Sequence, residues 1–466
     1  MRIARRSSRH LVLIAAIAVI GAACSSSSKS SPTTGAATTT TAAATTVPET
    51  DAPTTEAATT EAPTTTEAAT TTTEDLATLA AAYTDAGPYP VGVTTAQMAN
   101  GISVEIWYPA VAGSNGTETY DVRDFTAPSI KAILTADIPA TYSYPATRDA
   151  AVADGKFPVV LNSHGFSGIR VGSSFLTSHL ASWGIIVVSP DHPSRDLYHI
   201  VAGIKPDVVT KPVDDLLGSL DLITTRGTTA GDPFNGHVDT DHVGALGHSA
   251  GGGTVLQAAL DPRVDGYVSM ASGLFIGGGG SSQSSTGTSS TVATPSTGDV
   301  ASAAPPGTGD IPATTPDTSD IPGSISGIVL PDKPSFFLGG SVDGVVDPQG
   351  TLDAFNTVDA PSLYWKIDGV GHNGFDDFCT FGDGQGIIGI ARASGLSGFL
   401  DAQPQFVKLG QDGCVPPAVP VATTFPIIDH AVTAWFLNLF GVDSTPKGLG
   451  PDFSSSYAEP VTIKVK

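Results

Sequence analysis

The sequence has little positive charge. Its 466 residues include 22 Lys and Arg against 45 Asp and Glu, which gives a formal net charge of −23 at pH 7. A surface that binds nucleic acid needs clustered Lys and Arg to pair with the phosphates. We therefore expect no nucleic acid partner and no extended phosphate-binding surface.

Cysteine is scarce as well, with one residue near the N-terminus, Cys24, and two others, Cys379 and Cys414. In an exported protein, the latter two would form one disulfide bond. The alternative is a pair of free buried thiols. Two cysteines alone supply too few ligands for a structural metal site, so no metal is expected.

The N-terminal segment lacks an apolar run long enough to cross a bilayer. Residues 11–23 carry no charge, but thirteen residues are too few for a membrane-spanning helix. Four basic residues precede them: Arg2, Arg5, Arg6 and Arg9. This order predicts a secretory signal over residues 1–23. The two adjacent arginines leave twin-arginine export as an alternative route.

The end of this segment resembles a bacterial lipobox, in which a cysteine becomes the lipidated first residue. Cys24 follows Gly21, Ala22 and Ala23, although Leu or Val is usual at the position of Gly21. The resemblance implies a lipid anchor at Cys24, and the alternative is an ordinary signal-peptide cysteine. The expected location is therefore outside a bacterial cell, either anchored to the membrane or secreted.

Two stretches lack the apolar residues that a core requires. Residues 24–82 are rich in Thr, Ala and Pro, and residues 277–326 are rich in Gly, Ser, Thr, Ala, Pro and Asp. Neither can bury enough apolar surface to offset the entropy lost on ordering. We expect a disordered tether over 24–82 and one folded domain over 83–466, with a disordered insertion at 277–326.

From about residue 88, short apolar runs alternate with segments of helical period. This alternation predicts an α/β fold with a mostly parallel central sheet flanked by helices. Strands are expected at 102–108, 157–161, 185–188, 243–246, 267–270, 335–338 and 363–367. Residues 379–425 are apolar but show no clear period, so we expect them to pack as an irregular flap.

A Gly-x-Ser-x-Gly motif spans residues 247–251, directly after a predicted strand and before a predicted helix. In such an elbow the chain turns too sharply for side chains at the flanking positions, and the turn exposes the serine hydroxyl above the sheet. Ser249 is therefore the candidate nucleophile. The alternative is a Gly-rich helix start that Ser249 merely caps.

A serine nucleophile needs a base, and the base needs an orienting acid. Asp343 and His372 each follow a predicted strand, at the edge where open α/β sheets hold their sites. They also follow Ser249 in the order Ser, Asp, His. Asp347 is the alternative acid, whereas His248 is expected to be a packed residue of the elbow.

Two backbone N–H groups are expected to stabilise the negative charge that develops on a substrate oxygen. One belongs to Ala250, after the nucleophile, and the other to the loop after the strand 157–161, where Phe166 is preferred over Gly165. The Phe166 ring would wall the same pocket. A further group of His and Asp residues at 237–242 is interpreted as a solvated acidic turn instead of a metal site.

These residues resemble the α/β-hydrolase superfamily, and within it the secreted esterases like platelet-activating-factor acetylhydrolase and dienelactone hydrolase. The similar segments are 87–92, 106–109, 163–166, 190–193, 211–215 and the elbow 247–252. Bacterial cutinases and polyester hydrolases share the elbow, but Ala250 stands where they usually carry Met. Their Trp after the strand 267–270 is also missing here.

The resemblance implies a serine carboxylester hydrolase with Ser249, Asp343 and His372 as its triad. We expect an exported, monomeric enzyme that acts on a lipid or short acyl ester, needs no cofactor and meets the membrane only through Cys24. The alternatives are a cutinase-like polyester hydrolase, a peptidase on the same fold and a non-catalytic surface lipoprotein that binds a ligand.

Overall fold

The computed structural model describes residues 75–274 and 329–466. The expected signal over 1–23, the anchor at Cys24, most of the expected tether and the insertion at 277–326 lie outside the described residues. The last part of the range assigned to the tether is described, and it includes a short helix, α1 (Leu76–Ala80), whose Ala80 is buried.

A ten-stranded sheet and a separate two-stranded antiparallel sheet make up the β structure of the described residues. Their strands are β1 (Val91–Gln97), β2 (Ser103–Pro109), β3 (Thr117–Asp121), β4 (Thr141–Pro145), β5 (Thr147–Arg148), β6 (Phe157–Ser163), β7 (Ile186–Pro190), β8 (Val238–His248), β9 (Gly266–Met270), β10 (Ser335–Gly340), β11 (Ser362–Ile367) and β12 (Val461–Val465).

The large sheet has the strand order β12-β11-β10-β9-β8-β6-β7-β2-β1-β5. Its six central strands, from β11 to β7, pair in parallel. Antiparallel pairs appear toward the edges, where β12 joins β11 and where β2 joins β7 and β1. The mostly parallel sheet predicted from the sequence is confirmed.

Helices cover both faces of this sheet. After α1, the helices are α2 (Pro128–Lys131), α3 (Ser174–Ser182), α4 (Leu197–Ala202), α5 (Pro212–Thr228), α6 (Ala250–Ala258), α7 (Pro348–Thr357), α8 (Phe381–Gly384), α9 (Gly386–Ala393), α10 (Ser397–Asp401), α11 (Pro404–Gln411) and α12 (Val421–Leu439). Helices α3 and α12 share one apolar core with the sheet, and α5, α6 and α7 share another. The central strands are therefore buried on both sides, which explains their uninterrupted apolar runs.

Local sequence explains where several helices begin. Pro212, Pro348 and Pro404 each occupy the first turn, where a missing N–H costs no hydrogen bond. Asp347 caps α7, because its side chain accepts a hydrogen bond from the Gln349 N–H at 2.9 Å.

Two expectations about local structure were wrong. Residues 379–425 do not form an irregular flap, because α8 to α11 and the start of α12 occupy most of this range. These helices are short and change direction at glycines such as Gly382, Gly384 and Gly395, all with positive φ, so no single helical period extends through the sequence. The Asp and His residues around 239–242 do not precede a strand but lie within β8, where Asp239, Asp241 and His242 are not buried.

No helix within the described parts of the chain combines the length and the apolar character that crossing a membrane requires.

A pair of buried carboxyl groups lies between α3, α12 and the segment that follows His372. Asp377 is fully buried and accepts hydrogen bonds from the Phe175 N–H, whereas Asp429 Oδ1 has no hydrogen-bond partner among the described residues. Burial and the nearby carboxyl group raise the pKa of Asp429 well above its ordinary value. The pKa of Asp377 is raised by burial and by the charge of Asp376.

We expect Asp429→Asn to raise the melting temperature at pH 8 more than at pH 4. An unfolded Asp loses its proton near pH 3.9, whereas folded Asp429 keeps it to a higher pH. The folded state then binds more protons, so its stability falls as the pH rises through this window, and Asn removes that loss. Calorimetry at both pH values checks this, with the exposed Asp452→Asn as the control. An equal gain at both pH values would contradict it.

Candidate active site

Ser249 sits in a strained turn between β8 and α6. Its φ of 56° and ψ of −125° lie outside the regions that side chains normally allow. A Cβ at Gly247 would lie 2.3 Å from the Gly251 carbonyl oxygen, and one at Gly251 would lie 1.9 Å from the Ser163 carbonyl oxygen. Both glycines are therefore sterically required, and the elbow forms as the motif predicts.

The structure brings Ser249, His372 and Asp343 together in one hydrogen-bonded chain. His372 Nε2 lies 2.9 Å from Ser249 Oγ, and His372 Nδ1 lies 2.9 Å from Asp343 Oδ2. A carboxylate only accepts, so Nδ1 carries the proton and Nε2 accepts one from the serine hydroxyl. The histidine and the aspartate side chains are almost completely buried. This arrangement can activate a hydroxyl by general-base catalysis.

The second oxygen of Asp343 is held by the backbone. Asp343 Oδ1 accepts hydrogen bonds from the N–H groups of Val345 and Val346, at 2.9 and 2.8 Å. These bonds fix the carboxylate toward His372. The side chain of Asp347, the alternative acid, instead caps the N-terminus of α7, so the geometry favours Asp343.

The pKa of His372 is raised above its ordinary value of 6.5. Burial lowers the pKa, but the hydrogen bond to Asp343 and the charges of Asp343, Asp376 and Asp412 raise it by more. The imidazole is therefore easier to protonate than a free histidine, and it becomes a base only as the pH rises through this raised value.

His248 does not bind Ser249 but supports the loop that carries His372. Its Nε2 donates to the His372 carbonyl oxygen at 3.0 Å, and its Nδ1 lies 3.3 Å from an Asp376 carboxylate oxygen. The two imidazole rings stand 4.8 Å apart. His248 is thus the packed elbow residue that the sequence predicts.

The loop after β6 passes directly over Ser249. A Cβ at Gly165 would lie 3.0 Å from Ser249 Cβ, which places this loop against the nucleophile candidate. The N–H groups of Phe166 and Ala250 donate to no other group in the part of the chain that the structure describes. They are available to a substrate oxygen, and the Phe166 side chain lines the adjoining cavity.

A buried polar network, which the sequence analysis missed, holds this loop from behind. His164 Nδ1 donates to the Gly165 carbonyl oxygen at 2.9 Å, and its Nε2 accepts from the His192 N–H at 3.1 Å. His192 in turn joins Ser163 Oγ at 2.8 Å and Asp215 Oδ2 at 3.0 Å. Burial lowers the pKa of both histidines, so they are neutral.

Arg195 completes this network and ties it to the elbow. Its guanidinium donates to Ser163 Oγ, to Thr254 Oγ1 and to the Ala250 carbonyl oxygen, at 2.8, 2.8 and 3.0 Å. Burial lowers its pKa to about 9 and raises that of Asp215 to about 6. The motifs 163–166, 190–193 and 211–215, quoted for the resemblance, contain most of these residues. These motifs were the signal in the sequence that could have pointed to the buried network.

The segment 379–414, named here the cap, contains α8 to α11. Cys379 and Cys414 form a disulfide bond that closes its two ends. Ser249 and His372 lie at a cavity with an empty volume of about 1190 Å³, and the cap forms one wall of that cavity. The cap residues that line it are almost all apolar: Ile387, Ile388, Ile390, Ala391, Leu396, Phe399, Leu400, Phe406, Leu409 and Gly410.

No group of three or more potential metal ligands occurs within residues 75–274 and 329–466. At the start of β8, His242 Nδ1 pairs with Asp239 Oδ2 at 2.8 Å on the surface.

Comparison with known proteins identifies the fold. A model of the family "Platelet-activating factor acetylhydrolase, isoform II" matches residues 82–202. The solved structure of a ferulic acid esterase from Streptomyces cinnamoneus aligns with a TM-score of 0.50 at 20% identity, covering 81% of this chain and 96% of that one. The chain has the α/β-hydrolase fold.

One curated relative of the chain is a bis(hydroxyethyl) terephthalate hydrolase from Streptomyces coelicolor. The two are 30% identical over 141 residues, which is 30% of this chain and 38% of the relative. The match thus spans well under two thirds of that relative. The resemblance to the acetylhydrolase branch is confirmed by the family model, and the relative is itself a hydrolase of an ester by its name.

Reduction of the cap disulfide should lower the free energy of unfolding by about 3–4 kcal/mol, the chain-entropy value for a loop of this length. The two cysteines are 35 residues apart in the sequence. Denaturant unfolding of the oxidised protein and of Cys414→Ser measures the difference. The cap should become sensitive to limited proteolysis before the sheet unfolds. Equal stability of both forms would contradict this role of the bond.

Proposed function

We propose that this protein is a serine carboxylester hydrolase with Ser249 as nucleophile, His372 as general base and Asp343 as orienting acid. The observation that carries the proposal is the buried hydrogen-bonded chain of these three side chains, at an apolar cavity. The names of the matched family and of both relatives, an acetylhydrolase, a hydrolase and an esterase, support the same chemistry.

In the first half of the reaction, Ser249 Oγ attacks the ester carbonyl carbon and its proton moves to His372 Nε2. The carbonyl oxygen becomes negative and accepts hydrogen bonds from the N–H groups of Ala250 and Phe166. His372 then gives its proton to the departing alkoxide, which leaves as an alcohol. Water, deprotonated by His372, then attacks the acyl-serine. The acid is released as His372 returns the proton to Ser249 Oγ.

For the substrate, we propose an ester with an apolar acyl group, such as a lipid or a short acyl ester. The wall of the cavity next to Ser249 is made of aliphatic and aromatic side chains, including Phe166 and Phe378 outside the cap helices. Burial of apolar surface gives about 25 cal/mol per Å², so each methylene of such a group would add to binding.

A second candidate is an aromatic diester or a polyester segment. The observation in its favour is the 30% identity to a bis(hydroxyethyl) terephthalate hydrolase. A peptidase and a non-catalytic binding protein remain as outcomes of the experiment below.

For its location, we propose an exported, monomeric protein that is held to a bacterial membrane by lipidation of Cys24. The basic and apolar order of residues 1–23 and the small residues before Cys24 support this. The acidic net charge of −23 supports the absence of a nucleic acid partner.

Ser249→Ala should abolish labelling by a fluorophosphonate probe and hydrolysis of p-nitrophenyl esters, because it removes the attacking oxygen. The fold should survive, since the elbow depends on its glycines more than on the hydroxyl. Probe labelling and a panel of p-nitrophenyl, phospholipid, terephthalate and aminoacyl amide substrates measure this. Full labelling of the variant would refute the nucleophile. An unlabelled wild type would favour a binding protein, and cleavage of amides alone would favour a peptidase.

Asp343→Asn should lower kcat by a factor on the order of 10⁴, because an amide donates to His372 Nδ1 and leaves the proton on Nε2. The acid limb of the pH profile should also move to lower pH, because Asp343 raises the pKa of His372. Asp347→Asn is the matched control, since Asn also caps helices and activity should change little. The reverse ranking of the two variants would move the acid to Asp347.

A further inference from the structure

Asp412 lies in the cap, between the end of α11 and Cys414, and its carboxylate binds two loops of the site at once. Oδ1 accepts a hydrogen bond from the His372 N–H at 2.7 Å, and Oδ2 accepts one from the Gly344 N–H at 3.0 Å. Gly344 directly follows Asp343. A single carboxylate therefore connects the loop of the proposed base to the loop of the proposed acid.

The backbone around Asp412 packs equally closely on the histidine loop. The Asp412 carbonyl oxygen accepts from the Asn373 N–H at 2.8 Å, and Asn373 Nδ2 donates to the Leu409 carbonyl oxygen at 2.6 Å. A Cβ at Gly371 would lie 2.5 Å from the Gly413 nitrogen. The two segments are in direct contact, so a movement of one displaces the other.

We propose that Asp412 is a positioning residue of the site, which holds His372 and Asp343 in the geometry that activates Ser249. The inference rests on the proposed function and adds a residue to it. A shift of about 1 Å in a catalytic group can cost on the order of 10²-fold in rate. The two hydrogen bonds of Asp412 can therefore affect turnover by fixing the positions of the loops that carry these groups. The cap thereby contributes to catalysis as well as to the cavity wall.

A purely structural role for Asp412 would stabilise the cap without affecting the ionisation of His372. The groups that face His372 are Asp343 at Nδ1, Ser249 at Nε2, the ring of His248, and the carboxylates of Asp376 and Asp412. The Lys408 side chain passes near Gly344, with its Cε 3.8 Å from a Cβ built at that glycine. Since the charge of Asp412 helps to raise the pKa of His372, removing it should shift the pH profile.

The first variant is Asp412→Asn, which keeps the shape but loses one acceptor and the charge. We expect kcat for p-nitrophenyl butyrate to fall about 10-fold with KM changed less than about 2-fold, because only the triad geometry is altered. The acid limb of the pH profile should move to lower pH. The rate of fluorophosphonate labelling between pH 5 and 9 should show both the slower reaction and the shifted acid limb. This measurement does not require the natural substrate to be known.

The second variant, Gly344→Ala, separates position from charge. The added methyl group would lie 2.6 Å from Asp412 Oδ2, so it pushes the carboxylate away while the charge remains. We expect a similar fall in kcat with the acid limb close to its wild-type position. Gly398→Ala and Asp401→Asn are the matched controls in the cap. Gly398 has open space around it, and Asp401 pairs with Arg392 on the surface.

A wild-type labelling rate and an unshifted pH profile in Asp412→Asn would overturn the proposal. So would a fall in melting temperature with lost activity but an unmoved acid limb, because that combination indicates a structural role only. A wild-type protein that the probe does not label would refute the proposed function itself. The two failures are therefore distinguishable.

Discussion

The contact between Gly251 and the Ser163 carbonyl oxygen is the constraint on which the site depends. It brings the first turn of α6 against the end of β6, too close for any side chain at that position. As a result, Ser249 is held at a positive φ above the sheet, and the loop after β6 passes directly over it. The proposed nucleophile and the proposed donors for the substrate oxygen thus share one rigid junction between a strand and a helix.

The junction is stabilised by buried polar groups, each of which would be costly without partners. Hydrogen bonds join Ser163, His192, Asp215 and Arg195 beneath the loop, and Arg195 extends the network to the first residue of α6. Ser163, His192 and Asp215 repeat the order of hydrogen bonds seen at Ser249, but they are fully buried and no substrate can reach them. Their effect is to fix the loop before any ligand arrives, which is what stabilisation of a developing charge requires.

The cap couples the wall of the cavity to the other half of the site. Its apolar helices line the space beside Ser249, and its C-terminal end contacts the loops of His372 and Asp343 through Asp412. The disulfide bond closes the same segment at its base. A bulky acyl group that presses on the cap would therefore act on the loops that hold the proposed base and acid.

The sequence by itself determined the fold class and the three residues that meet at the site. Short apolar runs ending in polar, Gly-rich turns mark the central parallel strands, and the elbow motif marks Ser249, because these signals are local. Asp343 and His372 follow from their positions after strands, since parallel strands end at one edge. Only the tertiary structure decided how the cap folds, because its short helices turn at glycines and pack their apolar side chains against one of the two apolar cores. The same holds for Asp412 and Arg195, whose side-chain partners lie 32 to 68 residues away in the chain and leave no periodic signal.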